Sequence, residues 1–327
     1  MVLLTRRQCL SLAGGTLATA ALPRLTLAQG WPARPVRAIV AFPPGGTTDI
    51  FARLATQRLS EHFGKQFYVE NLAGASGNIG TGQAAKAAPD GHAILFAFTS
   101  HVVNPTLFAK VPYDPIKDFD PVTLAVASPT VLSVNPSVPA QTVKELVALI
   151  RANPGKYNFA VPGSGTPAHL AGEMFRLSLG LDLVRVPYNG AGPAVTSVVA
   201  GHSPITFTTL AAVLQQINDG KLRALAITSR SRSQILPDVA TMTESGYPEI
   251  EGDSWVGILL PAGTPKDIIT ALHRETVRII TLPDMKERFT ALGFELVAST
   301  PEQFGTRLKT EVEMWAKVIR AANVKVE

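Results

Sequence analysis

Two glycine-rich turns carry the residue types in this sequence that could do chemistry. PPGGTTD occupies residues 43–49 and PGSGTP occupies residues 162–167, and each turn joins a short apolar run to a helical pattern. Glycine lets the backbone approach a ligand closely, and the first amides of a helix are unpaired donors at the positive end of its dipole. Each turn therefore predicts an anion site, a nucleophile or simply the start of a helix.

Uncharged donors follow nearly every predicted strand, at the edge where a parallel sheet binds its ligands. The candidate ligand-binding residues in these segments are Phe42, Gly45, Gly46, Thr47, Thr48, Asp49, Ser76, Thr99, Ser100, Ser164, Gly165, Thr166, Asn189 and Gly190. Their composition favours an anion held by neutral donors. We expect the turns at 43–49 and 162–167 to face each other across a cleft, where each could take one carboxylate.

Several residues near these turns admit two interpretations. Asp49 either stabilises the first turn of its helix through the dipole, or it faces the cleft, where it would repel a second anion or pair with a ligand ammonium. Phe42 and Phe98 end apolar strands, and they either pack against the carbon skeleton of a ligand or fill the core. His169 follows Thr166 on the same predicted helix, and we expect it to pack or cap rather than act as a base.

No known enzyme motif occurs in this sequence with the residue spacing that it requires. The hydrolase elbow needs Gly-x-Ser-x-Gly, but Ser164 is framed by Pro162 and Thr166, and Asn78 takes the last glycine position after Ser76. The six histidines lack metal-site spacing, and no GxxxxGK[ST] phosphate-binding motif occurs. We therefore predict no catalytic residue, no metal and no cofactor.

Residues 1–28 have the pattern of an export signal. Arg6 and Arg7 precede a short apolar segment that ends in small residues near Ala28, which predicts a periplasmic protein exported by the twin-arginine or the general secretory route. Cleavage would lower the net charge from +5 to +2 and remove Cys9, the one cysteine. A net charge this close to zero gives no support for nucleic-acid binding. A mature chain without cysteine excludes disulfides.

Alternating strand and helix patterns predict an α/β fold with parallel-rich sheets flanked by helices. The predicted strands are residues 36–42, 67–71, 93–98, 157–161, 183–187, 205–208 and 223–228. Two longer runs, 121–136 and 252–261, are expected to cross between two domains. The predicted domains are residues 29–127 plus 254–327 and residues 128–253.

Apolar periodicity assigns the buried faces of two helices. Leu170, Met174 and Leu177 recur at helical spacing in the helix after the second glycine turn. A stripe from Phe304 to Ile319 predicts that the C-terminal helix docks back on the first domain.

The order of the sequence blocks resembles one family. The blocks are FPPGGTTDI, VENLAGASGNIG, AAPDGH, VPYDPIKDFDPV, GSGTPAHLAGEMF, VPYNGAG, GKLRALAITSRSRS, LPDVATMTESGYP, SWVGILLPAGTP and ALGFE. Together they resemble the tripartite tricarboxylate transporter receptors, also called Bug proteins, over the whole mature chain. This resemblance implies a two-domain periplasmic binding protein of type II-like architecture, which closes on a small organic acid in a cleft between its domains and has no catalytic activity.

The resemblance also implies where a ligand would bind. Family members hold a ligand carboxylate largely through backbone donors and ordered water at the loop matching residues 42–49, with facing contacts from loops matching 164–166 and 189–190. This sequence departs from the family where ITFTTL carries Thr208 and Thr209, because the family usually ends that strand with an acid. The departure makes Thr208 a further candidate site residue and favours dicarboxylates or aromatic carboxylates over amino acids.

We therefore expect an exported, monomeric receptor that presents a small carboxylate to the membrane subunits of a carrier. A sensor that docks on a membrane kinase is an alternative that the sequence cannot separate from transport. A serine hydrolase using Ser164 or Ser76 is the alternative from another class, and only the position of these serines on glycine turns supports it.

Overall fold

The computed structural model describes residues 30–250, 252–321 and 324 of the 327-residue chain, so the predicted export signal lies outside the described residues. The strands are β1 (Val36–Val40), β2 (Phe67–Asn71), β3 (Ala93–Phe98), β4 (Phe119–Val134), β5 (Tyr157–Val161), β6 (Leu183–Pro187), β7 (Ile205–Thr209), β8 (Arg223–Ile227), β9 (Asp253–Pro261) and β10 (Glu295–Leu296). The α-helices are α1 (Thr47–Phe63), α2 (Asn78–Ala85), α3 (Ser100–Leu107), α4 (Val143–Ala152), α5 (Pro167–Ser178), α6 (Ala191–Val199), α7 (Leu210–Asn218), α8 (Lys266–Ile280), α9 (Pro283–Ala291) and α10 (Pro301–Ala321). Within the described part of the chain, no helix combines the length and the apolar character that a membrane crossing requires.

The strands form one sheet in the order β2-β1-β3-β9-β4-β7-β5-β6, and β8 and β10 also pair with β4. β1 is parallel to β2 and β3, and β5 is parallel to β6 and β7. Between these groups, β9 is antiparallel to β3 and β4, and β4 is antiparallel to β7 and β8. The predicted α/β fold is confirmed, with two parallel groups joined by antiparallel strands.

The long strand β4 joins the two groups because its 16 residues are enough to pair with both. Residues 119–129 pair with β9, and residues 130–134 pair with β7 and β8. We call β1–β3 with α1–α3 and α8–α10 the first lobe, and β5–β8 with α4–α7 the second lobe. β4 and β9 are the two predicted crossing runs, and the assignment of the lobes as domains stays a prediction.

Apolar helix faces cover the sheet in each lobe. Phe51 and Leu59 of α1 are fully buried against β-strand residues such as Phe96, and the helix ends at Gly64 in the left-handed conformation. Phe304 and Trp315 of α10 are buried in a cluster with first-lobe residues. Docking of the C-terminal helix on the first lobe is therefore confirmed.

The buried face of α5 differs from the prediction at one position. Leu177 is 40% exposed, and Ala171 and Phe175 instead pack into the second-lobe core. Leu170 is buried in a cluster with Trp255 of β9. Helix α5 is therefore covered on two sides, which a single apolar stripe does not describe.

Candidate ligand-binding site

Two adjoining cavities lie between the lobes, and Phe42, Pro43, Pro162 and Gly190 line both. The inner pocket has a volume of about 430 Å³ and is lined by Phe42, Pro43, Gly46, Thr47, Thr48, Phe98, Pro162, Thr166, Ala168, Gly190, Ala191, Thr208 and Thr209. The outer cavity has a volume of about 1050 Å³ and is lined by Ala41, Phe42, Pro43, Ala73, Gly74, Ala75, Ser76, Gly77, Phe108, Pro162, Gly163, Ser164, Pro187, Tyr188, Asn189 and Gly190. The inner pocket is the smaller of the two cavities.

The start of α1 reaches the inner pocket from the first lobe. Gly45 takes a positive φ of 80°, which glycine adopts without strain, and Gly46 caps the helix with no side-chain hydrogen bond. The first amides of α1 are therefore not covered by a capping side chain. They lie at the positive end of a 17-residue helix, where an anion is stabilised.

Asp49 stabilises this turn through hydrogen bonds without lining either cavity. Its carboxylate accepts hydrogen bonds from the Gly45 amide, Asn71 Nδ2 and Arg53 Nε, each at 2.9 Å. Burial on its own raises the pKa of the Asp49 carboxyl, but the bonds from Arg53, Gly45 and Asn71 outweigh it and lower the pKa below its ordinary value. Asp49 lines neither cavity, so the geometry agrees with its first-turn interpretation.

The start of α6 reaches the same pocket from the second lobe. Gly190 precedes the helix with φ 114° and again gives it no capping side chain. Gly190 and Ala191 both line the inner pocket. Two helix N-termini without capping side chains, one from each lobe, therefore meet at one small cavity, which suits a bound anion.

The PGSGTP turn is capped by its own residues, unlike these two helix starts. Thr166 Oγ1 accepts a hydrogen bond from the His169 amide and donates one to the Gly163 carbonyl. The Gly165 amide donates to His169 Nδ1 at 3.1 Å. Because these donors are already paired, α6, rather than α5, brings to the inner pocket a second-lobe helix start without a capping side chain.

His169 is buried beneath this turn and accepts its hydrogen bond as a neutral ring. Burial, together with the positive charges of Arg185 and Arg176, lowers the pKa of His169 to about 3. The geometry agrees with the predicted role in packing and capping.

Hydroxyl groups supply most of the polar side-chain atoms of the inner pocket. Thr47 Oγ1 and Thr209 Oγ1 lie 2.5 Å apart and join the two lobes by a hydrogen bond. Thr208 is fully buried, and its Oγ1 has no hydrogen-bond partner. A buried hydroxyl without a partner is costly, so this atom marks a place where a ligand atom would be stabilised.

The remaining wall of the inner pocket is apolar. The Phe42 and Phe98 rings meet edge to face with centroids 5.5 Å apart. Among the described residues that line either cavity, none carries a charged side chain. No group of three or more potential metal ligands occurs in the described part of the chain.

The outer cavity is bordered by an unusual backbone segment in the first lobe. Gly74, Ala75, Ser76 and Gly77 all have positive φ, with values of 135°, 45°, 56° and 92°. Asn104 Nδ2 holds the segment by donating to the Ser76 carbonyl at 2.9 Å. Left-handed conformations of Ala and Ser cost free energy, and such strain concentrates where a segment binds a ligand.

The structure brings together most of the predicted site residues. Phe42, Gly46, Thr47, Thr48, Thr166, Gly190 and Thr208 line the inner pocket, and Ser76, Ser164 and Asn189 line the outer cavity. Gly45, Asp49, Thr99, Ser100 and Gly165 line neither cavity. Thr99 Oγ1 instead accepts a hydrogen bond from the Trp255 amide, so this hydroxyl joins α3 to β9.

Sequence reasoning missed the small apolar residues of the pocket wall. Pro43, Pro162, Ala168 and Ala191 line the inner pocket, although the predicted set omitted them. Pro43 and Pro162 begin the two glycine turns, and Ala168 and Ala191 directly follow Pro167 and Gly190, so their positions are the signal that could have found them.

One sheet that links two lobes, with a pocket of neutral donors between them, defines a solute-binding receptor. A family model described as "Tripartite tricarboxylate transporter family receptor" matches residues 51–324. BugT of Bordetella pertussis (strain Tohama I) is 37% identical over 320 residues, which cover 97% of this chain and 98% of BugT. The chain belongs to the tripartite tricarboxylate transporter receptor family, as its sequence blocks predicted.

Two solved structures of similar proteins contain dicarboxylates. The R. palustris protein Rpa4515 with adipate has a TM-score of 0.87 and 32% identity, covering 90% of this chain and 99% of that one. MatC from Rhodopseudomonas palustris with bound malate has a TM-score of 0.84 and 29% identity, covering 88% of this chain and 100% of that one. Proteins of this family are periplasmic substrate-binding receptors rather than enzymes.

Proposed function

We propose that this protein captures a small organic carboxylate in the periplasm, with a dicarboxylate or an aromatic carboxylate favoured, and presents it to the membrane subunits of a tripartite tricarboxylate-type transporter. The observation that carries the proposal is the meeting of two helix N-termini without capping side chains at the inner pocket. Backbone amides at such ends bind anions without a fixed cation.

The lining of the pocket supports this ligand class. A dicarboxylate could place its oxygens at the starts of α1 and α6, and its carbon skeleton could pack against Phe42 and Phe98. The described lining offers no acidic side chain that would hold an ammonium group. The adipate and malate bound by two similar proteins belong to the same chemical class.

Closure of two domains would complete the site. The proposed domains are residues 29–127 plus 254–327 and residues 128–253. Three close approaches across the cleft support a closed arrangement: Thr47 with Thr209, Gly190 with Pro43, and Gly165 with Asn104. We propose that the receptor works as a monomer whose two lobes close on the ligand.

Melting temperature tests the ligand class directly. The protein without its export signal is titrated with succinate, malate, adipate, phthalate, amino acids and sugars. Binding to the native state alone stabilises it by about 2.7 kcal/mol at a ligand concentration of 100 Kd, so an organic acid should raise Tm in a concentration-dependent way. A shift with a sugar but with no organic acid would overturn the proposal.

A pair of glycine variants shows whether binding occurs in the cleft. A Cβ atom added to Gly190 would lie 3.2 Å from Pro43 Cγ across the cleft, whereas one added to Gly263 meets nothing within 4 Å. Both glycines have a positive φ, but the φ of 114° and ψ of 171° at Gly190 are accessible almost to glycine alone, so the free energy of unfolding of each variant is measured beside its affinity. Gly190→Ala should weaken binding of the acid, and Gly263→Ala should leave it unchanged.

The transport step has its own test. Uptake of the labelled acid by cells should require both this receptor and the membrane subunits of the carrier. Uptake that persists in cells lacking the membrane subunits would contradict the transport part of the proposal.

A further inference from the structure

The hydroxyl of Thr208 has no hydrogen-bond partner, whereas the hydroxyls of Thr47, Thr166 and Thr209 in the same pocket each have one. Thr47 and Thr209 bond each other, and Thr166 Oγ1 bonds the backbone of its own turn. Thr208 Oγ1 is buried without a partner, although its residue lines the pocket. Leaving a buried hydroxyl unpaired costs about 1–3 kcal/mol, which a ligand oxygen could recover.

Strand geometry places Thr208 on the same side as α6. Phe207 packs into the second-lobe core with Phe159 and Phe175. Successive side chains of a strand point to opposite faces, so Thr208 points to the face that Val195 and Val198 of α6 cover. The orphan hydroxyl therefore lies on the face of β7 that α6 covers, and Thr208 lines the inner pocket together with Gly190 and Ala191 at the start of α6.

We propose that Thr208 is a specificity-determining residue that binds the second carboxylate of the ligand. The first carboxylate binds at the start of α1, and the second takes the Thr208 hydroxyl together with the first amides of α6. This inference rests on the proposed function, and it narrows the ligand to an acid with an acceptor group at each end. A monocarboxylate of the same skeleton leaves Thr208 unpaired.

Thr208→Val removes the hydroxyl while keeping the shape of the side chain. The matched control is Thr130→Val, because Thr130 Oγ1 is also buried without a partner but lies on β4 outside both cavities. Replacing an unpaired hydroxyl by a methyl group should leave Tm unchanged or higher in both variants. The two variants then differ only in their effect on the ligand.

Calorimetric titration compares adipate with hexanoate, malate with 3-hydroxybutyrate, and succinate with butyrate. In the unmodified protein, each dicarboxylate that binds should bind more tightly than the monocarboxylate it is compared with. Thr208→Val should raise the Kd of the dicarboxylate about tenfold, as expected for a lost hydrogen bond to a charged group, and should change the Kd of the monocarboxylate less than about twofold. Thr130→Val should change neither constant.

The outcomes separate this inference from the proposed function. An equal loss for both acids, or no loss with Thr208→Val, overturns the role of Thr208 while the receptor function stands. Absence of binding by every acid in the unmodified protein overturns the proposed function itself. If Thr208→Val does not fold, Thr208→Ser serves instead: it keeps the hydroxyl and must retain the dicarboxylate preference, and loss of that preference counts against the inference.

Discussion

The side-chain oxygens of Thr47 and Thr209 lie 2.5 Å apart, with one residue in each lobe. Thr47 is the first residue of α1, and Thr209 is the last residue of β7. Both side chains line the inner pocket and are nearly inaccessible to solvent. This hydrogen bond is a direct polar link between the two surfaces that would enclose a ligand.

Breaking this link should weaken ligand binding. Thr47→Val and Thr209→Val should each raise the Kd of a bound acid by roughly three- to tenfold, because a net hydrogen bond contributes about 0.5–1.5 kcal/mol. The double variant should lose little more than either single variant, since both remove the same bond. Calorimetry on the four proteins gives the coupling energy, and additive losses would contradict the link.

Gly165→Ala should hinder approach of the lobes. An added Cβ atom would lie 2.2 Å from Asn104 Oδ1 in the other lobe, at a position where φ is 75°. We expect at least a tenfold rise in Kd. Small-angle X-ray scattering should show a decrease in radius of gyration when the unmodified protein binds its ligand and no such decrease in the variant.

Gly220→Ala is the matched control for that variant. Its φ of 70° gives the same backbone strain, and an added Cβ atom meets nothing within 4 Å. Both variants should lose about 1 kcal/mol of stability, but only Gly165→Ala should lose affinity. Equal affinities would mean that the contact between Gly165 and Asn104 does not affect closure.

Asp49→Asn should destabilise the protein in a pH-dependent way. Burial opposes ionisation, but the bonds from Arg53, Gly45 and Asn71 lower the pKa of the Asp49 carboxyl below 3.8 in the folded state. A lowered pKa gives stability that is fully present above the unfolded value and is lost as the pH falls through the folded value. The variant should therefore be about 1–3 kcal/mol less stable at pH 7, with a gap that narrows below about pH 4.

Urea unfolding of both proteins at pH 7, 5 and 3.5 measures this gap. Asp219→Asn is the control, since Asp219 forms its ion pair with Lys221 on an exposed surface and exposed pairs contribute little. A gap for Asp49→Asn that stays constant down to pH 3.5 would show that the charge of Asp49 does not stabilise the turn.

Two buried histidines should make the protein sensitive to mild acid. Burial lowers the pKa of His101 to about 4 and, with the charges of Arg185 and Arg176, the pKa of His169 to about 3. Between about pH 6.5 and these values the unfolded chain binds protons that the folded protein excludes, so stability falls as the pH falls. Each histidine should contribute a slope of about 1.4 kcal/mol per pH unit.

Urea unfolding between pH 7 and pH 4.5 tests the slope. His101→Gln and His169→Gln should each reduce the number of protons taken up on unfolding by about one, and the double variant should reduce that number by about two. The slope of the unfolding free energy with pH should fall in proportion. A free energy of unfolding that is flat over this range in the unmodified protein would show that the two rings are protonated in the folded state.

Local sequence determined the elements and predicted much of the lining of the two cavities. The β-branched runs predicted β1 through β9 within a few residues, and the glycine turns predicted which segments would meet at the cleft. This worked because strand alternation, helix starts and glycine conformations depend on neighbouring residues. The family, too, could be recognised from the order of blocks, and its model matches most of the chain.

Only the tertiary structure decided which donors remain free. PGSGTP and NGAGP look alike as sequence, but His169 and Thr166 bond the first turn, while Gly190 leaves α6 without a capping side chain. The unpaired state of Thr208, its position beside α6 and the link between Thr47 and Thr209 also depend on how β4 and β9 bring the lobes together. Hydrogen-bond satisfaction is a property of all neighbours in space, so residues far apart in the chain determine it.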